Sequence, residues 1–236
     1  KEKTPVLGLV SLFGSTELGS IDDIANINDL LSIYSDLKIW HHVDAAYGGF
    51  FASLGADTGN TYLSKQIRAL AKVDSITMDP HKLAYIPYSC GAFLCRSPAK
   101  YHYSHIQAPY IDFKGNAGAG LQTIEGSRPS TGASAMWLTA KTLGLDPQGL
   151  GRVLQRQLEL KMKLQKEMIK KIDGIFFPPG LDLNILCWTI FSGKKQLSAA
   201  NRLVKKIYTR LPLQKSKFFV AKTSVSFKGN PKLKDI

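Results

Sequence analysis

The sequence predicts an α/β fold, with a mostly parallel sheet and a smaller α+β domain at the carboxyl-terminal end. Two observations carry this. Short, β-branched apolar runs alternate with helix-forming stretches over the first hundred residues, which calls for parallel strands joined by right-handed crossovers. After residue 146 the pattern changes to a long helix followed by strand, helix and strand.

Pro5–Leu12 reads as a buried strand, and Phe13–Ser20 is a turn-rich loop at its carboxyl end. Ile21-Asp22-Asp23-Ile24 opens a helix through about Ser35, with Ser20 as N-cap and acids in the first turn. Leu37–Val43 reads as a second buried strand, closed by Asp44 and followed by a Gly-rich loop. A helix near Tyr62–Lys72 leads to a third strand at Val73–Met78, and Gly91–Arg96 returns as another. Tyr101–Gly126 lacks periodicity, and a loop of that length in a compact domain is usually functional or disordered. A helix from about Ala133 to Leu143 follows. Asp146-Pro147-Gln148-Gly149 then divides a large domain (1–146) from a small one (147–236). The small domain reads as a helix at Leu154–Ile172, a strand near Leu183–Phe191, a helix near Leu197–Leu211 and a strand near Phe218–Phe227.

Composition narrows the class. The 236 residues supply ample apolar content for a core and hold no run long enough to cross a membrane. No secretory signal is visible at Lys1, and three cysteines without metal-ligand spacing point to free thiols in a reducing compartment, the cytoplasm by default. The formal charge of +13 raises nucleic-acid binding as an option, yet the lysines concentrate late in the chain. In Leu154–Ile172 they fall outside the stripe Leu158, Met162, Gln165, Met168 and Ile172, so a solvated face is expected. No aromatic-basic signature accompanies them, and neither a nucleic-acid partner nor a metal is expected.

The chemistry gathers between His42-Val43-Asp44-Ala45-Ala46 and Asp79-Pro80-His81-Lys82. Asp44 closes one strand and Lys82 follows the next, so both emerge at carboxyl ends of neighbouring strands, where such sheets bind ligands. Taken singly, an Asp at a strand end is commonly a turn residue and a Lys a surface charge. Together they are the two groups that pyridoxal 5'-phosphate (PLP) requires. Lysine holds the aldehyde as a Schiff base, and the acid pairs with the pyridinium nitrogen. Ala45, Ala46, Gly48 and Gly49 leave room for a planar ring, and His81 could reach a phosphate or relay a proton.

H-V-D-A-A-Y-G-G at 42–49 and S-I-T-M-D-P-H-K-L-A-Y-I-P-Y-S at 75–89 resemble the group II PLP-dependent amino-acid decarboxylases, and most of all their bacterial and archaeal tyrosine or tyrosine/aspartate members. The resemblance runs from about Gly14 to Gly144 and includes A-P-Y at 108–110 and T-I-E-G-S-R-P at 123–129. It implies a fold-type-I, homodimeric enzyme that converts an L-amino acid, of the aromatic, tyrosine-like class, to an amine and carbon dioxide. By the same resemblance Lys82 carries the cofactor, Asp44 meets its ring nitrogen, Ala46 packs on one ring face and Thr16 lies near the ring. His81 stands beside cofactor and substrate carboxylate, while Tyr88 contacts substrate. Tyr110, on a loop closing over the partner's site, becomes the acid that protonates the product carbon. Asp79 departs from the Asn of many animal and plant relatives; a carboxylate beside a phosphate needs an offsetting donor or cation. Another PLP lyase, an aminotransferase and a non-catalytic remnant acting as a subunit stay open as alternatives. The upstream phosphate loop and ring-stacking His of the family have no counterpart here, so the chain is expected to be the carboxyl-terminal half of such an enzyme.

Overall fold

The computed structural model describes residues 4–104, 128–191, 197–211 and 220–224. The chain divides into two compact units, Lys1–Phe13 with Asp22–Arg152, and Gly14–Ile21 with Val153–Ile236.

The first unit is built on a four-stranded sheet of β1 (Gly8–Leu12), β2 (Trp40–Asp44), β3 (Ser75–Met78) and β4 (Ala92–Cys95), in that spatial order. β1, β2 and β3 are parallel, and β4 runs antiparallel to β3. Helices α1 (Ile24–Ile33) and α2 (Thr61–Leu70) make the crossovers that parallel pairing demands. Alternation on β2 is strict: His41 and Val43 are buried, whereas Trp40, His42 and Asp44 lie on the other, less covered face. Phe13, Ile24, Val43, Phe51 and Leu63 form the centre of the core.

Caps explain where the helices start. Asp23, not Ser20, caps α1: its carboxylate accepts the Asn26 amide at 3.3 Å and the Asn26 side chain at 2.6 Å. Ser20 instead pairs its hydroxyl with Ser15 at 2.7 Å. With Ser20 tied to Ser15 in the preceding turn, the cap falls to Asp23, whose charge also suits the helix start. Asn60 caps α2 by accepting the Leu63 amide at 3.0 Å. The buried Gln66 is fully used, donating to Asp23 Oδ1 and accepting from the Ala25 amide, both at 3.0 Å.

β1 departs from its expected burial. Val10 is 65% exposed and Leu12 39%, because β1 is the outer strand among the described residues and only the side bearing Ser11 is covered. The short helix α3 (Pro80–Leu83) follows β3, and α4 spans Thr131–Thr142. α5 (Leu150–Lys171) begins earlier than expected. The stretch read as a domain boundary is its capping turn, where Asp146 Oδ1 accepts the amides of Gln148 and Gly149, each at 2.9 Å.

In the second unit the later turns of α5 accompany β5 (Ile175–Phe176), its antiparallel partner β6 (Thr189–Ile190) and α6 (Leu197–Arg210). The strand expected near Leu183–Phe191 contracts to β6, and of the one expected near Phe218–Phe227 the described residues, Val220–Ser224, form no strand. One lysine leaves the predicted solvated face. Lys161 Nζ donates to the Leu181 carbonyl, and burial lowers its pKa despite Asp182 nearby, whereas Met162 is half exposed.

Candidate active site

β2 and β3 carry the acid and the amine to one edge of the sheet. Their parallel register sets Asp44 opposite Thr77, and the pairing continues beyond the strand: the Ala45 amide donates to the Thr77 carbonyl at 3.0 Å. One step further, the Asp79 amide donates to the Ala46 carbonyl at 3.1 Å. The two motifs are thus joined through main chain. Gly49 adds a steric link, since a Cβ there would come within 2.7 Å of Met78 Cγ.

Asp44 is half-buried, and its Oδ1 accepts the Ala46 amide at 3.1 Å. Lys82 sits in α3, whose first residue is Pro80; the ring presets the helical φ there. Its Nζ lies 2.8 Å from Asp79 Oδ2, and His81 Nε2 lies 3.6 Å from the same oxygen. Asp79 therefore faces the Lys82 cation from its own turn, the kind of offset an acid in this position needs.

His81 is held from its other side. Nδ1 is 2.6 Å from the Cys90 carbonyl and 3.1 Å from the Cys90 amide, so Cys90 accommodates either tautomer. The Tyr88 ring packs against His81 with centroids 4.1 Å apart, and Tyr88 is otherwise exposed. Burial, with Asp79 adding to it, raises the Cys90 thiol pKa and keeps the sulfur protonated.

The structure thus brings Asp44, Ala46, Asp79, His81, Lys82 and Tyr88 to one edge of the first unit. Thr16 is exposed in a turn of the Gly14–Ile21 segment, which clusters with the second unit. Tyr110 lies outside the described residues.

A further residue of this face had no role expected from the sequence. His42 shares the Asp44 face of β2, with Nδ1 2.8 Å from Ser75 Oγ and Nε2 3.4 Å from Thr77 Oγ1. Phe93 stacks on its ring at 6.0 Å. Burial lowers its pKa, and Asp44 opposes this in part. Its spacing of two from Asp44 on a strand was the available signal.

These residues suit PLP: an amine for its aldehyde, a carboxylate for its ring nitrogen, and small residues beside the carboxylate. An open sheet presenting that pair at adjacent strand ends has the architecture of fold-type-I PLP enzymes. The model of the pyridoxal-dependent decarboxylase conserved domain matches residues 1–187, and the chain belongs to that family. It is 26% identical to the L-tyrosine decarboxylase of Enterococcus faecium over 247 residues, covering 89% of this chain and 40% of that one. It is 36% identical to the L-aspartate decarboxylase of Thermococcus kodakarensis over 182 residues, covering 76% and 44%. Among solved structures, mouse CSAD superposes with a TM-score of 0.74 at 22% identity, covering 93% of this chain and 45% of that one. The Oryza sativa TDC structure with PLP and tryptamine gives a TM-score of 0.72 at 18% identity, covering 92% and 44%. These structural likenesses carry the fold. The chain spans less than half the length of each of these relatives. Among the described residues no helix is long and apolar enough to cross a membrane, and no cluster of His, Cys, Asp or Glu could hold a metal.

Proposed function

We propose that this chain supplies the lysine-bearing part of the active site of a PLP-dependent decarboxylase acting on an L-amino acid, tyrosine-like in preference, to release an amine and carbon dioxide. The observation that carries the reading is the placement of Asp44 as the last residue of β2 and Lys82 just past the end of the adjacent parallel β3, with the two chain segments joined by the Asp79–Ala46 hydrogen bond. When bound, PLP supplies an electron sink for the charge left at the substrate α-carbon.

The residues divide the remaining work. Lys82 holds the cofactor covalently, and Asp44 keeps a proton on its ring nitrogen through charge. Ala46 leaves a slot for the ring, and Thr16 adds a hydroxyl beside it. His81, oriented by Cys90, faces the substrate carboxylate, with Asp79 holding the Lys82 ammonium and the His81 ring in register. Tyr88 offers an aromatic wall, the feature that favours an aromatic substrate; aspartate is the competing choice, since relatives include decarboxylases of both. Tyr110 delivers the proton to the α-carbon. The working enzyme is a cytoplasmic homodimer, with residues 1–146 in the cofactor-binding domain and 147–236 forming the small domain.

The test is incubation with PLP, borohydride reduction and mass spectrometry, followed by assay of amine and carbon dioxide from tyrosine and from aspartate. Cofactor mass on Lys82 together with tyramine is the expected result. Because the chain spans less than half of its curated relatives, a non-catalytic subunit is the competing reading. Absence of the adduct would favour it.

A further inference from the structure

The face of β2 and β3 beside Asp44 holds a directional hydrogen-bond chain that none of the roles above uses. Trp40 Nε1 can only donate, and it donates to Ser75 Oγ at 2.8 Å. Ser75 Oγ also lies 2.8 Å from His42 Nδ1. Ser75 is 2% exposed, and among the described residues His42 Nδ1 is the acceptor in reach of its hydroxyl hydrogen; a second donor at Nδ1 would leave that buried hydrogen unpaired, so the serine donates and Nδ1 accepts. The remaining ring proton is then on Nε2, directed at Thr77 Oγ1, 3.4 Å away. Phe93 closes over the ring.

This arrangement has a consequence for the acid two residues along. An imidazolium at position 42 would share the face of Asp44 and compete, as an ion-pair partner, with any cationic nitrogen that Asp44 is meant to hold. A neutral ring leaves the carboxylate undivided. The titratable groups on the elements around His42 are Asp44 and, on the opposite face, His41 of β2, with Cys95 of β4, Tyr101, whose ring edges against Phe93, and Lys100, whose ammonium lies 4.7 Å from the Trp40 ring. Asp44 alone among these is an acid that would draw a proton onto His42 at neutral pH.

We infer that His42 is a positioning residue, locked as its neutral Nε2–H tautomer by Trp40 and Ser75, and that this lock reserves Asp44 for the cofactor's ring nitrogen. The inference rests on the proposed function and adds a residue to it. Burial favours the same neutral form.

Two measurements on the protein test it. Nitrogen-15 NMR of the cofactor-free protein should show His42 neutral with its proton on Nε2 at pH 7, and Trp40→Phe should convert this to a tautomer mixture. PLP affinity, followed by visible absorbance across pH, should weaken at the acid end in the wild type by about tenfold as His42 gains its proton. His42→Gln, which cannot charge, should retain affinity within about threefold there. A protonated His42 or an Nδ1–H tautomer at pH 7 would overturn the inference, as would parallel acid weakening in both proteins. If neither protein gives a borohydride-fixed adduct on Lys82, the functional reading itself fails and takes the inference with it; an adduct with the wrong tautomer removes His42 alone.

Discussion

The main-chain amide of Asp79 donates to the carbonyl of Ala46 at 3.1 Å. With the Ala45 amide on the Thr77 carbonyl at 3.0 Å, it carries the β2–β3 ladder past Asp44 and up to the turn that holds Lys82. The acid and the amine are therefore held by backbone on both sides. Side-chain substitutions at the site should report on chemistry more than on folding.

Lys82→Ala is the first such substitution. The Lys82–Asp79 pair lies within one turn, with the lysine side chain 34% exposed, so its loss should change stability by less than about 1 kcal/mol. Borohydride-fixed cofactor and decarboxylation should both disappear. Normal turnover by this variant would refute the assignment.

Ala46→Leu tests the slot beside Asp44. Ala46 is half-buried, and its backbone rather than its methyl makes the link to Asp79, so the fold should persist. The added side chain should raise the PLP dissociation constant by at least about tenfold, given what overpacking a close-fitting site costs. Equilibrium titration, with urea unfolding as control, separates the two effects.

Tyr110→Phe addresses proton delivery, a role proposed for a residue outside the described structure. Substrate affinity should be retained while amine release falls by about 10²-fold or more, the usual contribution of a general acid. Carbonyl product in place of amine would identify misplaced protonation. Unchanged amine release would assign the acid elsewhere.

The buried His41 predicts how stability depends on pH. It is 2% exposed, with Nε2 2.8 Å from Ser11 Oγ and Nδ1 2.8 Å from Asn28 Oδ1. Burial lowers its pKa from 6.5, against the pull of Asp74. The unfolded chain therefore binds the proton more readily than the folded one. Stability is whole above about pH 6.5 and is lost as pH falls through the lowered folded value. His42 shifts in the same direction and should add to the loss. His41→Ala should destabilise by roughly 2–4 kcal/mol, by opening a cavity and stranding the Ser11 and Asn28 side chains. Urea midpoints that stay level from about pH 7 to about pH 5 would refute the pH dependence.

Much of the fold is legible in residues whose chemistry is local. The β-branched runs ending at Leu12, Asp44 and Met78, with helices between them, encode parallel strands, and the structure pairs them in that order. Caps were less legible. Ser20 and Asp23 both suit a helix start, and the choice depends on Ser20 being drawn to Ser15 by the turn that contains them. Lys161 misled for a similar reason: periodicity sees an amine as polar, while the Leu181 carbonyl it reaches is 20 residues away. The uncovered face of β1 was also unreadable, since an apolar run looks the same in an outer strand as in a central one.

By itself, the sequence determined which groups could do chemistry and on which strand ends they would stand, because side-chain identity and the two-residue period of a strand are properties of the chain alone. Only the tertiary structure decided which groups meet: Asp79 with Lys82, His81 with Cys90, and His42 with Ser75 of the neighbouring strand. Asp79 and Lys82 share one turn, but which of its neighbours each side chain takes depends on how that turn closes; the His42–Ser75 pair follows from strand register, in which whole elements settle against one another.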